Sequence, residues 1–141
     1  MPRSLAIALS VTDATFLVYW TLSGLNQIGA LHVPPSWMYA HWSDTRVIAW
    51  NWSFLPLDLA FSSTGLASLA AARRGSAIWR PLALLSLAFT LAAGAMAIGY
   101  WAILGEFEPA WFLPNLTLVL WPLAFLRQLV RETGVQGNRD R

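Results

Sequence analysis

Apolar residues in this chain fall into four long runs, each broken by few polar side chains and each parted from the next by a short cluster of Arg, Pro, Gly or acidic residues. A membrane-spanning helix needs about 20 predominantly apolar residues. The pattern therefore predicts spans over 5–30, 50–72, 80–104 and 109–131, in one all-α domain: an integral membrane four-helix bundle over 1–131. Arg73-Arg74-Gly75 stops the second run. Pro81 and Pro109 fall at first-turn positions of the third and fourth, where a missing N–H costs nothing. The segment 31–47, with Pro34, Pro35, Trp37 and Trp42, suits an interfacial loop with a short helix lying on the surface. The tail 132–141 is polar and is predicted to be disordered. Met1 to Val11 has the outline of a signal peptide, but the apolar run continues past Asp13 without a small-x-small cleavage site, so it reads as a retained first span.

Composition sharpens this picture. The chain is 57% hydrophobic and 11% charged, too apolar for an ordinary soluble domain. Its net charge of +2 reflects arginines beside the spans rather than a basic face, so nucleic-acid binding is rejected. There is no lysine. With both termini and the 73–80 loop on one side, Arg46 alone of the nine arginines falls on the other, and the positive-inside rule then puts both termini in the cytoplasm. Tryptophan is skewed the opposite way, with Trp20, Trp37, Trp42, Trp50, Trp52, Trp101 and Trp111 towards the outer half. Cysteine is absent, which excludes thiolate metal sites and thiol nucleophiles. His32, His41 and Asp44 lack tight ligand spacing, so no metal and no cofactor are expected.

Candidate chemistry centres on Trp50-Asn51-Trp52-Ser53-Phe54-Leu55-Pro56-Leu57-Asp58, which sets a carboxylate, an amide and a proline inside a spanning run. A charged Asp near a bilayer centre is disfavoured by roughly 2.5–3.5 kcal/mol on insertion scales, so such a residue needs a partner or a use. At about 1.5 Å per residue, Asp58 and Tyr19 each lie about 21 Å above the inner ends of their spans, level with Tyr100 and Asn115. Asp58 is thus the candidate acid, with Asn51, Tyr19, Tyr100, Asn115, Trp52 and Trp101 as candidate ligand-binding residues. Pro56 frees the Trp52 carbonyl and predicts a local kink. The structural alternative is a packing role, with Asp58 hydrogen-bonded to Tyr19, Tyr100 or Asn115. Asp13, deeper in the first span, is a secondary candidate whose structural alternative is a bond to Ser86 or Thr90. Ser86, Thr90 and Gly94 beside Ala93 and Ala97 make a small-residue packing face. Glu106 and Glu108 read as a solvated cap on the fourth helix. Tyr19-Trp20 recurs as Tyr100-Trp101 and Phe54-Leu55-Pro56 as Phe112-Leu113-Pro114, an echo that suggests two related hairpins.

Thr12-Asp13 followed by Tyr19-Trp20, the run from Trp50 to Asp58 with Ser63-Thr64-Gly65-Leu66 behind it, and Pro114-Asn115-Leu116 followed by Trp121-Pro122-Leu123 together resemble the YvaD-like family of small bacterial membrane proteins. The resemblance extends over roughly 12–125, and its most specific piece is the Trp50–Asp58 run. It implies a multi-pass protein of the bacterial inner membrane with four spans. The family has no assigned activity, so no functional residue carries over.

Three functional readings follow. The first is a protein that binds a lipophilic small molecule from the outer half of the bilayer, whose enzymatic version is an acid-catalysed isomerase or cyclase of a polyisoprenoid, since Trp rings stabilise cationic intermediates. The second is a proton-coupled small-molecule exporter acting as a homodimer. The third is a non-catalytic subunit or scaffold of another membrane protein. A pocket open to lipid at the level of Asp58 favours the first, a water path joining Asp58 and Asp13 the second, and a filled bundle the third.

Overall fold

The structure, a computed structural model, describes residues 1–34, 37, 39 and 41–137, with side chains described through residue 131. Among these residues there are five α-helices and no strands: α1 (Arg3–Gln27), α2 (Thr45–Trp52), α3 (Leu55–Arg73), α4 (Trp79–Leu104) and α5 (Pro109–Gly137). Four stretches are long and apolar enough to cross a membrane: Arg3–Gln27, Thr45–Arg73, Trp79–Leu104 and Pro109–Arg131. Only 11–44% of each apolar window is buried, so most of the apolar surface points away from the bundle. A soluble domain would turn those residues inward.

Local chemistry sets the boundaries. The second stretch is two helices rather than one kinked helix. Pro56 has no N–H to offer the Trp52 carbonyl, so the ladder lapses at Ser53 and Phe54 and restarts with Pro56 in the first turn of α3. Asn51 and Phe54 close that turn through the Phe54 N–H to the Asn51 carbonyl (3.1 Å). α2 is not the surface helix expected within 31–47: it starts at Thr45 and runs on into the second apolar stretch, and the Asp44 carboxylate caps it by accepting from the Arg46 N–H at 2.7 Å. Gly105, at φ 70°, ends α4 in the left-handed conformation that glycine adopts freely. The last helix continues to Gly137, beyond the expected end at 131; residues 138–141, the rest of the tail expected to be disordered, lie outside the described residues.

The helices pack as a row in which α1 lies on α3, α3 on α4 and α4 on α5. Two apolar cores are stacked along the bundle. One, at the end carrying the N-terminus, joins Leu5 and Leu9 of α1 to Leu69 of α3, Ala83 and Leu87 of α4 and Leu129 of α5. The other, towards the tryptophan-rich end, joins Trp20, Phe54, Phe61, Ala93 and Ala97, with Phe16 meeting Phe61 edge to face at 4.8 Å. Between them along the helices lie the buried polar residues Asp13, Ser62 and Thr90, with buried Ser86 beside Leu87 in the first core.

Glycines set the closest approaches. A Cβ at Gly65 of α3 would overlap the Asp13 carboxylate, and one at Gly94 of α4 would come within 2.7 Å of the Asn115 carbonyl oxygen and 2.8 Å of the Leu118 Cβ of α5. The small-residue face of α4 is therefore what lets α5 in. Gly94→Ala should force these backbones apart and lower stability by about 1–3 kcal/mol, whereas Gly99→Ala on the same helix, with nothing within 4 Å of its added Cβ, should leave stability unchanged or raise it by up to about 1 kcal/mol. Thermal unfolding of the two variants in one detergent checks this.

Candidate functional site

The break between α2 and α3 decides where Asp58 sits. Rather than lying mid-helix, the residue occupies the first turn of α3, where the unsatisfied N–H groups and the helix dipole favour negative charge. Its side chain is buried, with 3% exposure. One carboxylate oxygen, Oδ2, accepts the indole N–H of Trp20 at 2.9 Å, and the other has no partner among the described residues. The expected hydrogen bonds from Tyr19, Tyr100 or Asn115 are not formed. Tyr19 and Trp20 are neighbours on α1, about 100° apart around its axis, so each reaches a different acceptor. Tyr19 donates its hydroxyl to Asn51 Oδ1 at 2.9 Å.

The remaining predicted residues have partners of their own. Tyr100 stacks on Trp50 at 4.0 Å and 19°, out of reach of the carboxylate. Asn115 turns its amide N–H to the Trp111 carbonyl one turn earlier (2.7 Å), beside the ladder bond that Pro114 cannot make. Trp52 tilts against Trp20 at 5.3 Å, and buried Trp101 meets Trp50 at 5.7 Å and 82°.

Two adjoining cavities surround these groups. The first, of about 310 Å³, lies between α1 and α5 over a floor of Ala93, Ala97 and Trp101 from α4. Asp58, Trp20, Tyr19, Asn51, Trp111 and Asn115 line it. Its rim includes Val11, which is 61% exposed, and the exposed Thr15 and Thr117, all in the middle of their helices. The mouth therefore opens sideways, through the apolar flank of the bundle. The second cavity, of about 580 Å³, lies at the tryptophan-rich end beneath the loop from α1 to α2. Tyr19, Tyr39, Asn51 and Trp111 line both cavities, so the Tyr19–Asn51 hydrogen bond stands at their junction. Burial pushes the Tyr39 hydroxyl up from its ordinary pKa, and its ring meets Trp111 at 5.8 Å and 82°. At one edge of the loop His41 Nε2 lies 3.5 Å from Glu106 Oε2, with both side chains exposed. Glu106 thus faces the loop, and a carboxylate oxygen of Glu108, expected to be solvated, is buried without a partner among the described residues.

Comparison with known proteins places the chain. A model of a family of unknown function, DUF5360, matches residues 5–136. The chain belongs to that family. It is also similar to the uncharacterized protein YvaD of Bacillus subtilis (strain 168), at 38% identity over 130 residues, which is 92% of this chain and 94% of the relative. No solved structure matches. The expected membership of a YvaD-like family without assigned activity is thereby established.

In this DUF5360 chain Asp13 is set apart from Asp58. It has 0% exposure, lines neither cavity, and leaves both carboxylate oxygens without a partner among the described residues. The bonds expected from Ser86 or Thr90 are absent: Thr90 donates to the Ser86 carbonyl at 2.9 Å, and the Ser86 hydroxyl is itself unpartnered, like that of Ser62. No group of His, Cys, Asp and Glu residues able to hold a metal occurs among the described residues, and His32, His41 and Asp44 form none.

Sequence reasoning missed Trp20 as the donor to Asp58, and Trp111 and Tyr39 as walls. The Tyr19-Trp20 dipeptide was visible, but which of its members faces which acceptor depends on how α1 is rotated against α3. Trp20→Phe removes the N–H while keeping an aromatic ring, leaving a buried oxygen unanswered at a cost of about 1–3 kcal/mol. In an Asp58→Leu background the same change should cost far less, and a thermal double-mutant cycle reads the difference.

Proposed function

We propose that this protein resides in the bacterial inner membrane with both termini in the cytoplasm and binds a lipophilic small molecule in the cavity between α1 and α5. The observation that carries the reading is the sideways mouth, whose rim runs along α1 from Thr15 to Val11, on the inner side of Asp58, and leads up to it. A molecule dissolved in the bilayer can pass Val11 and Thr117 and reach a carboxylate, two amides and the indoles of Trp20, Trp101 and Trp111 without crossing water. Ligand sites of about 300–1,000 Å³ combine mostly apolar walls with a few convergent polar groups, and this cavity has that make-up. Asp58 acts as acid or hydrogen-bonding anchor, while Asn51, Tyr19 and Asn115 orient the ligand. Orientation rests on the arginines, which lie almost wholly at the end of the bundle bearing Arg3, Arg73 and Arg80. A reporter fused after residue 141 should be active only in its cytoplasmic form, and one active only outside would invert the account.

One observation favours a second reading, proton-coupled export. Asp13, Ser62 and Ser86 are buried polar side chains whose oxygens lack partners, as expected of groups that bind and release a proton or a water. Binding stands first because Asp13 lines neither cavity.

Native mass spectrometry of protein extracted gently with its lipids, compared between wild type and Asp58→Asn, tests the proposal. A discrete small molecule should accompany the wild type and be depleted in the variant. If both forms instead carry the same protein partner and no small molecule, the chain is a subunit and the polar groups are structural.

A further inference from the structure

The charge pattern of the two cavities points to a ligand class, an inference that rests on the binding reading above. Among the described residues lining the first cavity, Asp58 is the one carboxylic acid, and neither cavity is lined by an arginine. Arg46 is exposed on α2, and His41 is engaged with Glu106. The one base on either wall, His32, lies in the outer cavity, so an anionic ligand in the first cavity would meet a carboxylate with no compensating base there. A ligand with no hydrogen-bond donor would leave the unpartnered Oδ1 of Asp58 unanswered, and a neutral donor would answer it without matching the charge of a carboxylate. The walls are electron-rich aromatic rings. Trp20 and Trp111 flank the cavity from opposite helices, Trp101 lies on its floor, and Tyr19 meets Trp111 at 66°. Rings set across one another in this way present negative faces in more than one direction, as in the cages that hold alkylated ammonium groups.

We infer that the ligand is a cationic amphiphile, with a single amine or quaternary ammonium head received beside Asp58 and the aromatic rings and an apolar body lying through the mouth between Val11 and Thr117. The Trp20 indole N–H, bonded to Oδ2, holds the carboxylate in place and leaves Oδ1 for the incoming charge. No proton transfer or covalent step is required. The Tyr19–Asn51 pair, at the junction with the outer cavity, limits how far the head travels towards the loop.

Intrinsic tryptophan fluorescence reads the site directly, since Trp20, Trp50, Trp101 and Trp111 line the cavity. Full-length protein in uncharged nanodiscs is titrated with dodecyltrimethylammonium, 1-dodecanol and dodecyl sulfate, which share a chain and differ in head charge. The expected result is saturable binding of the ammonium about ten-fold tighter than the alcohol, with no saturable binding of the sulfate. Asp58→Asn, which keeps an oxygen to accept from Trp20, should bring the ammonium to the affinity of the alcohol, and Asp13→Asn should leave the difference intact. Equal affinity for ammonium and alcohol in the wild type, or preference for the sulfate, overturns the charge assignment while leaving the cavity a binding site. Absence of saturable binding by all three overturns the cavity reading itself and the inference with it. Should Asp58→Asn fail to fold, the comparison of head groups on the wild type still decides.

Discussion

A carboxylate inside an apolar bundle must be answered by a donor, and at Asp58 the answer is the indole N–H of Trp20 together with the N-terminus of α3. The second half of that answer depends on Pro56. Without the break it enforces after Trp52, Asp58 would lie within a continuous helix and lose the favourable dipole. The Trp20 bond also fixes how α1 is turned against α3. Once Trp20 faces Asp58, Phe16 meets Phe61, and Asp13 falls against Gly65 where only a glycine leaves room. One interaction thus organises the whole α1–α3 contact.

The cavity follows from where the helices come closest. Gly65 draws α1 onto α3, and Gly94 draws α5 onto α4. Neither approach joins α1 to α5, and the two are parted above Ala93 and Ala97. Bulky aromatics at the tryptophan-rich end hold the gap open, because Trp111 meets Tyr19 and Tyr39 by ring edges rather than by close helix packing. The polar groups of the site are consequently those left on the walls of a gap between close-packed pairs.

Much of this was legible in the order of residues, and the remainder was hidden for physical reasons. Apolar run length located four stretches able to cross a membrane, and the spacing of Ser86, Thr90 and Gly94 marked a face that does pack closely. Asp58 stood out because a charge is costly in such surroundings. Pro56 was ambiguous, since the same residue kinks a helix from within or begins a new one, and only the lapse at Ser53 and Phe54 distinguishes the two. Depth arithmetic set Tyr19, Tyr100 and Asn115 near the level of Asp58 but carried no information about rotation. That is why the true donor, one residue along at Trp20, went unrecognised. Asp13 was visible as a buried acid, but its lack of partners emerges only from the assembled bundle, where Ser62 and Ser86 are likewise buried without a hydrogen-bond partner.

The sideways mouth leaves the floor of the cavity within reach of molecules dissolved in the bilayer. A small apolar diazirine, partitioned into membranes containing the protein and activated by light, inserts into whatever side chains it reaches, and mass spectrometry locates the adducts. The account predicts labelling of Ala93 and Ala97, which are buried on the inner face of α4, alongside the rim residues Val11 and Thr117. Labelling of α4 confined to its outward residues, such as Met96 and Ile103, would contradict it.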